Sequence, residues 1–136
     1  MGLMLVGKAL PNDDHVARGC SRGVKNNIVT SAAFEPRPQD QFRLSVEWVE
    51  CPHANPSEQN LEGAIERIKS IPVRGPYANL GVLDIRSPTY NGRSLDVVEL
   101  LNRPCHAAII GFTGDSNDLL FQDDLAEIAN KSPLSN

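Results

Sequence analysis

The sequence predicts an α+β domain: a mixed or antiparallel sheet of about five to six strands with two helices on one face. Three observations carry this expectation. Residues 42–50 alternate, with Phe42, Leu44, Val46 and Trp48 on one side and Arg43, Ser45, Glu47 and the less polar Val49 on the other. That is the period-two pattern of a strand with one buried and one wet face. Residues 57–70 place Leu61, Ala64, Ile65 and Ile68 at helical spacing, one apolar stripe. Finally, the strand-like stretches come in runs with few helical crossovers between them, which excludes a doubly wound parallel sheet.

The chain has 136 residues, 40% of them hydrophobic and 22% charged. That is the size of one domain, read here as spanning 1–136. Leu3, Leu5 and Val6 suggest a short edge strand, and Pro11-Asn12-Asp13-Asp14 a turn. A short strand follows from His15 to Arg18, then a loop over 19–27 and a strand over 28–34. Pro36 and Pro38 stop regular structure. The strand at 42–50 makes Trp48 a core residue. Ser57 is placed to cap the first helix, with Glu58 in its first turn where the helix dipole favours a carboxylate. The helix ends near Ser70, before Pro72. Residues 80–85 read as a strand, Asn91-Gly92 as a tight turn, and 94–101 as a further strand. The apolar run 106–112, bounded by Pro104 and Gly114, reads as a buried strand. The second helix covers 119–130, capped by Ser116 or Asn117, with Leu120, Leu125, Ile128 and Ala129 inward. Residues 131–136 are expected to fray.

Thirteen basic and seventeen acidic residues leave a formal charge of -4. Binding to nucleic acid is therefore not expected, because it needs a clustered basic face. The densest basic stretch, Arg18, Arg22 and Lys25, suits one phosphate or carboxylate. No apolar run approaches the ~20 residues of a membrane span, and the apolar start of the chain is too short for a signal peptide, so no membrane partner and a cytoplasmic location are expected. In a reducing compartment the three cysteines stay as thiols, and their odd number excludes complete intramolecular pairing.

Each of the three histidines lies near a cysteine: His15 with Cys20, Cys51 with His53, Cys105 with His106. If their loops converged they could hold a zinc ion, but the spacing matches no zinc finger. Cys51, His53 and Cys105 are the weak metal candidates, and no metal or other cofactor is expected. Cys20, between Arg18 and Arg22 in a Gly-bounded loop, is a candidate nucleophile with a depressed pKa and easy access. His15 and His106 each begin a strand, as in two-histidine phosphoesterases, which carry H-x-[S/T] twice. Here the triplets are His15-Val16-Ala17 and His106-Ala107-Ala108, so alanine replaces the hydroxyl that would hold the phosphate. Phosphate-loop, dinucleotide, nucleophile-elbow and zincin motifs are absent.

Three stretches carry a resemblance. Residues 15–20 (H-V-x-R-x-C) with 33–38 (A-F-x-x-R), followed by 44–50 (L-S-V-x-W-x-E), resemble a group of small bacterial proteins without an assigned activity. The resemblance implies a bacterial origin and a partner-dependent role. Physically, His15, Arg18, Arg37 and Ser45 would form a polar, anion-binding cluster if they met at one sheet end. The reading that follows is a cytoplasmic interaction (accessory) domain without catalytic activity, with a protein partner or self-association. The alternative is a small hydrolase or transferase using His15, Arg18, Cys20 and His106 on an anionic group.

Overall fold

The structure, a computed structural model, describes residues 5–71 and 73–136. In chain order the strands are β1 (Val6–Ala9), β2 (His15–Gly19), β3 (Val24–Lys25), β4 (Ile28–Val29), β5 (Leu44–Trp48), β6 (Tyr77–Gly81), β7 (Asp96–Leu100) and β8 (His106–Ile110). The helices are α1 (Leu61–Lys69), α2 (Val82–Arg86) and α3 (Asp118–Ala129). Six strands form one antiparallel sheet in the order β1-β7-β8-β5-β2-β6, and β3 pairs with β4 in a separate hairpin. The α+β class and the strand number expected from the sequence are those observed. The edge-strand expectation falls partly on Leu3, which lies outside the described residues.

The alternating residues 42–50 supply β5, which lies inside the sheet between β8 and β2. Leu44, Val46 and Trp48 face the larger core, together with Val16, Leu80, Val97 and Ile109. That core is closed by Val82 and Ile85 of α2 and by Phe121 and Leu125 of α3. Trp48 is buried, and its indole N–H donates to Asp14 Oδ2 at 2.7 Å. On the opposite face Ala17, Val49 and Tyr77 pack against Ala64, Ile65 and Ile68 of α1. Helices α2 and α3 thus share one face, whereas α1, grouped with α3 on sequence grounds, covers the other. On the side of β5 expected to be wet, Glu47 is fully buried and Val49 buried, while Ser45 stays exposed. A period of two shows that one face is more polar, not that it meets water.

Local departures from the expected elements have local causes. Strand 28–34 stops after Val29, and a 3-10 turn follows at Ser31–Phe34. Asn26 and Asn27 both have positive φ, 54° and 63°, and close the β3–β4 hairpin inside the expected loop. The expected strand at 80–85 is instead the end of β6 and the start of α2. Asn91 and Gly92 make the tight turn foreseen, with Tyr90 and Arg93 exchanging both backbone bonds at 2.9 and 3.0 Å. In α3 the inward residues include Phe121 and Gln122, while Leu120 is exposed. The tail does not simply fray: Ser135 pairs with Tyr77 on the outer edge of β6, supplying partners that an edge strand lacks.

Helix α1 starts later than the Ser57 cap predicts. A 3-10 turn at Pro56–Glu58 precedes it, and Asn60 is the N-cap, its side chain accepting from Gly63 N at 2.8 Å. Gly63 presses on that turn: a Cβ there would lie 2.1 Å from Glu58 O. Cys51 and Cys105 form a disulfide across a sequence separation of 54, which corrects the expectation that all the cysteines are thiols. The pair meets because β5 and β8 are neighbours, so the residues flanking them are brought to one end of the sheet.

Two outcomes are expected. Gly63→Ala lowers stability by about 2 kcal/mol despite the better helix propensity of alanine, because overpacking against backbone outweighs it; urea unfolding decides, and an unchanged or higher midpoint would show that the turn yields. Replacing both Cys51 and Cys105 by Ser lowers stability by about 2–4 kcal/mol, the entropy of a loop this long; equal unfolding midpoints for the double variant and the parent would contradict it.

Candidate functional site

Strands β2 and β5 pair at Val16↔Trp48 and Ala17↔Glu47, and their ladder goes no further. Past that point the Arg18 side chain takes over: Nη1 donates to Ser45 O at 2.7 Å and Nε to Ala33 O at 3.0 Å. Its guanidinium lies 5.8 Å from the centre of the Phe34 ring. Burial lowers the Arg18 pKa, with nearby Cys20 and Asp40 opposing the shift. The notch left where the ladder stops opens into a cleft on the α1 face, with a volume of about 490 Å³. Ile68, Ile71 and Val73 form an apolar wall, and Ser45, Asn102, Arg103 and His106 supply the polar one.

Within this cleft Ser45 Oγ lies 3.2 Å from His106 Nε2, and His106 Nδ1 lies 2.7 Å from Asn102 Oδ1. An amide oxygen only accepts, so Nδ1 carries the ring proton and donates it to Asn102. Nε2 is then left with its lone pair toward the Ser45 hydroxyl, which donates. The His106 pKa falls from 6.5 to about 4, first because the ring is buried and second because Arg103 is close. The imidazole is therefore neutral at pH 7. Ser45 is exposed and His106 buried, so the hydroxyl is reachable while the ring behind it is held.

Beneath the cleft Glu47 anchors two guanidinium groups. Arg67 Nε donates to its Oε2 at 2.8 Å, and Arg103 Nη1 lies 2.9 Å from Oε1. The Arg103 contact is an ion pair held by charge and not by hydrogen-bond alignment. Arg67 also donates to Glu58 O and Trp48 O, both at 2.8 Å. Glu47 thereby ties α1 and the β7–β8 turn to the central strand.

The structure separates several residues that the sequence grouped. His106, Ser45 and Arg18 come together. His15 does not join them: it begins β2 and pairs with Glu50, Nδ1 to Oε2 at 2.6 Å. Cys20 is free but buried, and burial raises its pKa, with Arg18 only partly opposing. This corrects the expectation of an accessible thiol with a depressed pKa. Cys51 and Cys105 are spent on each other, so their sulfurs are not thiolate ligands, and His53 is exposed on the segment after Cys51. Among the described residues no group of three or more His, Cys, Asp or Glu side chains is placed to hold a metal ion. Arg37 lines a second cavity that also reaches Ser45. Asn102 was not foreseen. It stands four residues before His106 across a proline, and no spacing signal marks such a turn.

Compared with known proteins, the chain matches no family, no curated protein and no solved structure. Among the described residues no helix is long and apolar enough to cross a membrane. The reading of the site therefore rests on its own geometry.

The lowered His106 pKa has a consequence for stability. Below about pH 6.5 the unfolded ring takes up a proton that the folded ring refuses until about pH 4. The contribution is complete above pH 6.5 and is lost as pH falls toward 4, by about 3 kcal/mol. Urea unfolding between pH 7 and pH 4 is expected to show a shallower acid-side loss for His106→Gln than for the parent chain; parallel curves would refute the assignment.

Proposed function

We propose that the protein is a hydrolase of acyl esters that uses Ser45 as nucleophile, His106 as general base and Asn102 as the residue positioning the ring. The observation that carries this is the Ser45–His106–Asn102 relay, with an exposed hydroxyl at one end and a fixed tautomer behind it. A nucleophile, a base in hydrogen-bond reach and an orienting third group form the arrangement that activates a serine. Ser45 Oγ attacks the ester carbonyl as His106 Nε2 takes its proton. The tetrahedral adduct collapses, the alcohol leaves with that proton, and the acyl group remains on Ser45. Water then attacks the acyl carbon, its proton passing through Nε2 back to Oγ. Arg18 and Arg103 line the cleft and favour the negative charge that develops on the carbonyl oxygen. The wall of Ile68, Ile71 and Val73 suits an apolar acyl group. A base titrating near pH 4 is weak, so slow turnover follows, but it stays ready well below neutrality.

This reading keeps His106 and Arg18 from the hydrolase alternative and replaces His15 and Cys20 by Ser45 and Asn102. The disulfide supports an oxidising compartment over the cytoplasm. A second reading, an interaction domain with a protein partner, is favoured by β1 at the sheet edge, where Leu5, Val6 and Leu101 are exposed. Sedimentation at rising concentration tests it, with self-association reduced by Val6→Lys as the expected result.

A fluorophosphonate probe is expected to label Ser45 in the folded chain and not in the heat-denatured chain. Ser45→Ala abolishes labelling and hydrolysis of p-nitrophenyl butyrate, and His106→Gln slows hydrolysis ~10²-fold or more. The rate falls on the acid side with a midpoint near pH 4. Equal labelling of Ser45→Ala, or a midpoint near the ordinary histidine value, would end the proposal.

A further inference from the structure

Ser45, Arg18 and Gly19 line two cavities. The second, of about 340 Å³, lies on the other side of the notch and, apart from Ala32, Ala33, Leu44 and Leu100, is lined mainly by polar and charged residues. Its charged lining is Arg18, Arg22, Arg37 and Arg43 against Glu35 and Asp40. A chain of net charge -4 thus concentrates an excess of positive charge at one point, beside the exposed hydroxyl. The excess is of the size that a phosphate dianion neutralises, and guanidinium forks suit phosphate oxygens.

The course of the backbone brings these arginines to the same space. Arg22 follows β2 in the loop entered through Gly19. Arg37 and Arg43 stand at the two ends of one tight turn: Phe42 N donates to Arg37 O at 2.9 Å, and Arg43 N to Asp40 O at 3.1 Å. Gln41 and Phe42, both with φ near 57°, reverse the chain so that the two arginines border the same space. Arg18, fixed on Ser45 O and Ala33 O, forms the boundary between this pocket and the cleft.

We propose that this arginine pocket binds a phosphate group, and that the substrate of the Ser45 cleft is an acyl ester carrying a phosphate. The substrate assignment rests on the hydrolase reading; the phosphate site does not. With the ester carbonyl at Ser45, the acyl chain lies along Ile71 and Val73 and the phosphate reaches across the notch.

The test titrates inorganic phosphate into the full chain and follows backbone amides by NMR. Saturable shifts confined to residues 18–22 and 35–45 are expected, and Arg22→Gln with Arg37→Gln should weaken binding at least ~10-fold. Circular dichroism checks that the arginine variant is folded. Equal affinity in the arginine variant overturns the site. Phosphatidylcholine vesicles with and without phosphatidic acid then identify the source. Binding of free phosphate alone points to a water-borne ester, arginine-dependent binding to the acidic vesicles points to a lipid, and binding of neither overturns the site. Phosphate binding without hydrolysis of any ester refutes the hydrolase reading alone. Hydrolysis of neutral p-nitrophenyl butyrate without phosphate binding refutes the pocket alone.

Discussion

The buried carboxylate of Glu47 holds the site together. A charge with no exposure to water is costly unless it is paired, and here two arginines from different parts of the chain converge on it. Arg67 brings α1 down onto the sheet and continues to the carbonyls of Glu58 and Trp48. Arg103 draws in the β7–β8 turn, and that turn carries Asn102 and leads into His106. The apolar wall and the polar wall of the cleft are therefore set against each other by one side chain. Losing either arginine would leave the carboxylate under-compensated and free one wall to move.

The disulfide and the strand register reinforce the same placement. Cys105 immediately precedes His106, and its bond to Cys51 anchors the turn to the segment after β5. Glu47 pairs with His106 and Ser45 with Ala108 across β5 and β8, so Ser45 and His106 are diagonal neighbours on one face, within reach of each other's side chains. The stopping of the β2–β5 ladder at Ala17 leaves room beside them, and the Arg18 guanidinium satisfies the carbonyl that a continued ladder would have bonded. Site and cavity thus come from the same interruption of a regular sheet.

Much of the fold was legible because its signals are local. The alternation through Trp48, the stripe Leu61-Ala64-Ile65-Ile68, the Asn91-Gly92 turn and the apolar run from His106 each act over a few residues, and each marks an element that formed. The failures were of another kind. Residues 80–85 are apolar enough for strand or helix, and packing made them the end of β6 and the start of α2. Ser57 is a good capping residue, but Pro56 opened a 3-10 turn and passed the cap to Asn60. Of the candidate site, Ser45, His106 and Arg18 were visible as residue types, whereas Asn102 carried no signal. Cys20 was misjudged because loop composition does not report depth.

The sequence by itself determined the α+β class, the strand through Trp48, both longer helices and the side of β5 that enters the main core, since these follow from periodicity and turn chemistry within short windows. Tertiary structure alone decided that α1 covers the face opposite α3, that Glu47 lies buried between two arginines, that Cys51 bonds Cys105, and that Ser45 meets His106. Each of these depends on which strands become neighbours. Strand pairing is fixed by the collective burial of the whole chain, and no local pattern of residues encodes it.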